Sequence, residues 1–200
     1  MRCGEEEMLL FVNACMREGS RTERLARAYL ASQGGDIVEV RLGDADVRPL
    51  DAQSIRAYNV GVAAADYGDA LFDAAHQFAQ ADEIVMAAPL WNYSIPAKLH
   101  DYLELVCSQG VTFDLDASSG TYVSLCRAQR LTFVCTAGGP RPDMANEHSF
   151  GYVRTLAREF WHVPEVVLVA AWGLDGPNAD VDALLCEALA HPQREVAEED

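Results

Sequence analysis

Apolar and polar positions in this chain follow two periods that take turns. Short unbroken apolar runs at 8–12, 84–88, 131–136 and 166–171 have the length and make-up of strands buried on both faces. Residues 37–42 differ: Val38, Val40 and Leu42 share one face while Glu39 and Arg41 take the other, the alternation of an edge strand. Between the runs the spacing lengthens to three or four. Leu25, Ala28 and Tyr29 mark a helix that Gly34-Gly35 ends, and helices are predicted over 52–65 and 68–79. Ile95, Leu99, Tyr102, Leu103 and Val106 fall on one helical face, with Ser94 as the predicted N-cap. Phe150, Val153, Leu156, Ala157, Phe160 and Trp161 mark a helix over 150–161, and Val181, Leu184, Leu185, Ala188 and Leu189 the last one. Residues 110–115 read as extended chain and 118–120 as a turn.

Five strands alternating with helices, the second alone looking like an edge, predict an α/β fold: a doubly wound parallel five-stranded sheet of order 2-1-3-4-5 with helices on both faces. The 200 residues, with no repeat or linker, read as a single domain over 1–200, with flexible tails at 1–7 and 193–200. No apolar stretch has membrane-spanning length, and the N-terminus leads only into a strand-length run, so neither a membrane span nor a signal peptide is expected. Thirty-one acidic against fifteen basic residues give a net charge of −16, which argues against nucleic-acid or anionic-membrane partners. Cys3, Cys15, Cys107, Cys126, Cys135 and Cys186 form no CxxC pair and suit reduced thiols, hence a cytoplasmic setting.

In that strand order three loops meet at the carboxyl edge of the sheet, where open α/β sheets take ligands. The 13–22 loop brings Gly19, Ser20, Arg21 and Thr22 to a helix start, where hydroxyls, free backbone N–H groups and the helix dipole favour an anion. No GKS or GKT and no GxGxxG follows, which points to one phosphate and away from a dinucleotide or nucleoside triphosphate. An ordinary capped helix explains Ser20 and Thr22 equally well. The 89–93 loop offers Leu90, Trp91, Asn92 and Tyr93 as a flat aromatic and amide wall, and Thr136-Ala137-Gly138-Gly139 allows close backbone approach. Together they suit a flat, monophosphorylated cofactor, a description that FMN meets.

The blocks Ser20-Arg21-Thr22, Ala88-Pro89-Leu90-Trp91-Asn92-Tyr93-Ser94-Ile95-Pro96-Ala97-Lys98-Leu99, Gly110-Val111-Thr112-Phe113 and Thr136-Ala137-Gly138-Gly139 carry a family likeness over about Leu9 to Leu189. The chain resembles the FMN-dependent NADH:quinone oxidoreductase and azoreductase family of flavodoxin-like proteins. The resemblance implies a homodimer that binds FMN near the subunit interface. It implies ping-pong reduction of a quinone, azo or nitroaromatic acceptor by two electrons, with NADH or NADPH as donor. Carried across residue by residue, it implies FMN contacts from Ala14, Ser20, Arg21 and Thr22 at the phosphate, Leu90, Trp91, Asn92 and Tyr93 beside the ring, and Thr136, Ala137, Gly138 and Gly139 at the ring edge. Phe113 would border the substrate pocket, and the aromatic 150–161 helix would join the interface. No side chain is assigned acid–base catalysis, since the flavin carries the chemistry while Asn92 and Trp91 orient and tune it. Ala14 stands where the family often has serine, Ala137 where a larger polar residue sits, and Ser124 where glycine is usual.

Two residues admit sharper readings: Cys15 as a redox thiol and His148 as a proton source. For Cys15 the plainer alternative is space-filling, and for His148 the start of the 150–161 helix. His76, His100, His162 and His191 show no ligand spacing, so no metal is expected. The rival from another class is a flavodoxin-type electron carrier between protein partners, which would have the same fold and an acidic surface. A third reading is an interaction module with a vestigial site.

Overall fold

The computed structural model describes residues 7–143 and 145–197. In chain order the strands are β1 (Met8–Asn13), β2 (Asp36–Arg41), β3 (Glu83–Pro89), β4 (Phe113–Leu115), β5 (Tyr122–Ser124), β6 (Arg130–Thr136), β7 (Glu165–Ala171) and β8 (Gln193–Val196). The helices are α1 (Arg21–Leu30), α2 (Ala52–Ala64), α3 (Asp73–Gln80), α4 (Ala97–Val106), α5 (Phe150–Glu159) and α6 (Val181–Ala190). The main sheet has the order β2-β1-β3-β6-β7-β8. Its first five strands are parallel and keep the expected order; β8 pairs antiparallel with β7.

The unbroken apolar runs are explained by two cores, one on each face of the sheet. Leu10, Val12, Ile84, Met86, Leu131, Phe133, Val166 and Leu168 pack with α4 and α5 on one side. Leu9, Phe11, Val85, Ala87, Val134, Val167 and Val169 pack with α1 and α6 on the other. β2 is the half-exposed edge that its alternation predicts, with Ile37 43% exposed.

Three expectations are corrected. The main sheet has a sixth strand, because residues 193–196, expected as frayed tail, form β8. All four of its residues are exposed, so no apolar period announces it. Its backbone ladder is reinforced by Arg194 to Glu165 at 2.6 Å and Arg154 to Glu195 at 3.2 Å. Residues 1–6 and 198–200 of the expected tails, and Cys3 with them, lie outside the described residues. Helix α4 starts at Ala97 with Pro96 as its cap, not at Ser94, because Ser94 closes a tight turn described below. Trp161 does not extend the aromatic face of α5. The helix ends at Glu159, and Trp161 turns inward, 1% exposed, with its ring 4.5 Å from that of Phe78.

A small hairpin, β4-β5, follows α4. The Gly110-Val111-Thr112-Phe113 block is the corner that leads into it. The buried Thr112 hydroxyl donates to the Val106 carbonyl at 2.6 Å and so ties off the end of α4. Gly110 has φ +80°, and a Cβ there would run into the Tyr67 ring, so both conformation and space call for glycine.

Candidate functional site

At the carboxyl edge of β1, β3 and β6 the three loops converge on one cleft of about 450 Å³. That is within the range of roughly 300–1,000 Å³ typical of small-molecule sites. Met16 to Thr22, Pro89 to Trp91 and Thr136 to Gly138 line it, together with Asp175.

The first wall is set by Asn13, the fully buried last residue of β1. Its side-chain carbonyl accepts from Cys15 N at 3.0 Å, and its amide donates to Glu39 at 2.9 Å and Glu23 at 3.3 Å. Arg27 and Arg41 close this network: Arg27 lies 2.8 Å from Glu23 and 2.9 Å from Glu39, and Arg41 bonds Glu23. Arg41's hydrogen bond holds the Glu23 carboxyl below the usual carboxylate range. Burial alone would raise Glu39, but the bonds from Asn13 and Arg27 outweigh it and its pKa is also lowered. The loop is thereby fixed where it enters α1. Ser20 is the N-cap, its hydroxyl accepting from Glu23 N at 3.3 Å, and the first N–H groups of α1 have no partner inside the helix. Gly19, at φ +68°, leaves open space where a Cβ would stand.

The second wall is a two-residue hairpin. Trp91 N donates to Ser94 O and Ser94 N to Trp91 O, both at 2.9 Å, with Asn92 at φ +53° and Tyr93 at φ +65°. Two consecutive positive φ values are the signature of a type I′ turn, in which asparagine is at home and tyrosine is strained. The turn lifts Asn92 and Tyr93 into solvent at the tip and leaves Leu90 and Trp91 to face the cleft. His148 N donates to Tyr93 O at 3.0 Å, which ties the tip to the segment before α5.

The third wall is Thr136 to Gly138, laddered to the loop after β7. Leu174 N donates to Ala137 O at 3.2 Å and Asp175 N to Gly138 O at 2.9 Å. Asp175 packs so closely on Gly138 that any Cβ there would run into its carboxylate.

Of the residues singled out in the sequence, Ser20, Arg21, Thr22, Leu90, Trp91, Thr136, Ala137 and Gly138 meet in the cleft. Asn92, Tyr93 and the exposed Gly139 lie beyond its lining. Ala14 is fully buried behind it and donates its N–H to Ala87 O at 2.9 Å. Phe113 is elsewhere, 4.7 Å from Phe160 and 5.4 Å from Tyr122, ring to ring. The Thr22 and Thr136 hydroxyls bond each other at 2.6 Å, both buried, and pin α1 to the end of β6. Arg21 reaches across the mouth, donating to Leu174 O at 2.7 Å and to Asp175 at 2.6 Å. Cys15 is buried and its thiol is pushed up to about 11, mainly by that burial, so at neutral pH it is a protonated space-filler.

Arg17, Glu18 and Asp175 were missed by the sequence reading. The fifth strand also ends at this edge, and the turn-rich run Gly173-Leu174-Asp175-Gly176-Pro177 after it was the available signal. A larger cavity of about 800 Å³ lies under α2, between the 45–51 loop and α3. Several polar groups on its rim are already engaged: Asp51 caps α2, Asp69 caps the turn before α3, and Arg48 pairs with Asp46. The smaller cleft keeps its free helix-start N–H groups, and it is where the fold directs ligands.

A family model described as the flavodoxin-like fold matches residues 8–192. The chain belongs to this flavodoxin-like family. Among its relatives is FMN-dependent NADH:quinone oxidoreductase 2 of Clostridium acetobutylicum, 31% identical over 127 residues, which are 62% of each chain. The FMN-dependent NADH:quinone oxidoreductase of Coprothermobacter proteolyticus is 28% identical over 186 residues, 88% of this chain and 90% of the relative. The chain thus spans about three fifths of the length of the first of these and nearly all of the second. Among solved structures, the azoreductase from Bacillus anthracis str. Sterne superposes with a TM-score of 0.75 at 23% identity, over 92% of this chain and 95% of that one. A FMN-dependent NADH-azoreductase from Bacillus anthracis str. Ames Ancestor in complex with FMN gives the same TM-score at 20% identity, over 92% and 94%. At these identities the structures establish the fold alone.

Proposed function

We propose that this protein is a cytoplasmic FMN-dependent oxidoreductase that passes two electrons from NADH or NADPH to a quinone, azo or nitroaromatic acceptor. The observation that carries this reading is the convergence of a helix-start anion cradle, the Leu90-Trp91 wall and the Thr136–Gly138 segment on one cleft. The names of the relatives support it. The donor set fits FMN: N–H groups and the Ser20 hydroxyl for a phosphate, and a flat indole for a ring. Bound there, FMN supplies the hydride-accepting and hydride-donating centre.

The residues of the chain bind and orient. The Ser20 oxygen accepts from Glu23 N, and the hydroxyl has a proton that it can donate to an anion. Thr22 holds α1 against β6 through the hydroxyl pair it forms with Thr136, and its backbone N–H is also open to an anion. Trp91 offers an aromatic face, and the hydrogen-bonded turn that carries it limits its movement.

The active form in this reading is a homodimer, and Phe113 borders the substrate pocket there. Leu115, Tyr122, Val123 and Leu125 are each 42–48% exposed around the Phe113–Tyr122–Phe160 cluster, an apolar patch that calls for a partner. Steady-state rates with nicotinamide and quinone both varied should give parallel double-reciprocal lines, and light scattering should give twice the 21.9 kDa chain mass. Intersecting lines would overturn the ping-pong order. A fully active monomer would overturn the dimer.

A further inference from the structure

We infer that Arg17, not Arg21, is the cationic partner of the phosphate in this cleft and sets its preference for a phosphorylated over an unphosphorylated flavin. This rests on the FMN reading above. Two arginines line the cleft, and they differ in what they already hold. Arg21 is engaged twice across the mouth, by the Leu174 carbonyl at 2.7 Å and the Asp175 carboxylate at 2.6 Å. Its charge is matched by a neighbour that packs on Gly138, and freeing it would leave Asp175 unpaired beside an incoming anion. Arg17 makes no ion pair among the described residues, in a chain whose net charge is −16. Its guanidinium instead lies 5.5 Å from the centre of the Trp91 ring.

That position joins the first two walls of the site, the phosphate loop and the aromatic loop. A guanidinium over a half-buried indole gains about 0.5–2 kcal/mol, whereas a charge-assisted bond to a phosphate gains about 1.5–3 kcal/mol and an arginine can make two of them. The exchange therefore favours the phosphate. Arg17 is two residues before Gly19, whose φ is +68°, and it lines the same cleft as Ser20 and the start of α1. Swinging away from Trp91 exposes the indole face to a flat ring in the same movement that brings the cation to the anion. Arg17 acts as a selector and a cover, with no part in the chemistry.

The test is titration of the purified protein with FMN and, separately, with riboflavin, read by quenching of flavin fluorescence and by Trp emission, for the natural chain and for Arg17→Gln, Arg17→Lys and Arg21→Gln. Arg17→Gln should weaken FMN binding by about tenfold to a hundredfold and leave riboflavin within threefold, so the preference collapses. Arg17→Lys should keep part of it, and Arg21→Gln should lose less than Arg17→Gln. An unchanged FMN-to-riboflavin ratio in Arg17→Gln, or an equal or larger loss at Arg21, overturns the assignment. Failure of the natural chain to bind either flavin overturns the site reading itself and this assignment with it.

Discussion

The Thr22–Thr136 bond shows how a polar residue at a binding edge can serve the fold first. Both hydroxyls are buried and meet at 2.6 Å, so replacing one strands the other without a partner. Thr22→Val should lower stability by about 1–3 kcal/mol in urea unfolding, the cost of a buried unsatisfied hydroxyl. Adding Thr136→Val should recover part of it, because both polar groups are then gone. A double variant no more stable than the single one would contradict this account. That both threonines stand at this edge is legible in the sequence, whereas the bond that ties the Thr22 hydroxyl to Thr136 is not. Nothing in a one-dimensional pattern says which way a hydroxyl at the first turn points. Arg21 and Ala14 are similar: their places in the chain were legible, while the pairing with Asp175 and the complete burial behind the loop were not.

Among the elements, the Trp91–Ser94 hairpin is the one under strain. Asparagine followed by a positive-φ residue is a strong turn signal, yet the second position holds tyrosine where glycine would be relaxed. Tyr93→Gly should raise stability by up to about 1 kcal/mol, since the left-handed conformation costs a Cβ residue roughly 1–2 kcal/mol and glycine returns some of that as unfolded-chain entropy. A lower melting temperature in this variant would count against strain at Tyr93. If the strain is kept for function, the same change should impair acceptor reduction. The five parallel strands were legible because each carries an apolar run or alternation of its own. The exposed β8 and the short β5 lack both, and they form by completing a neighbour's ladder. Ser94 reads as a helix cap in one dimension; here the hairpin takes its backbone N–H first, and α4 starts three residues later.

At the scale of the molecule, buried and half-buried thiols weaken the fold at alkaline pH. Burial pushes Cys15 up to about 11 and Cys107 and Cys126 up to about 12. An unfolded chain would give up these protons near pH 8.5, so the native state holds more protons than the unfolded state above that value. Their contribution is constant below about pH 8.5, and stability should fall as pH rises from there through 11 and beyond. Cys15→Ala should show a shallower decline in Tm between pH 8.5 and 11, and an identical slope would contradict the assignment. For the whole protein, the proposed function requires a flavodoxin-like sheet whose convergent loops hold FMN so that a nicotinamide can reduce it and an acceptor can reoxidise it. Anaerobic mixing of FMN-loaded protein with NADH, and separately NADPH, followed by a quinone, tests this most directly. Bleaching of the flavin absorbance by at least one nicotinamide is expected, with its return as the quinone is consumed mole for mole; bound flavin that neither nicotinamide bleaches would overturn the proposed function.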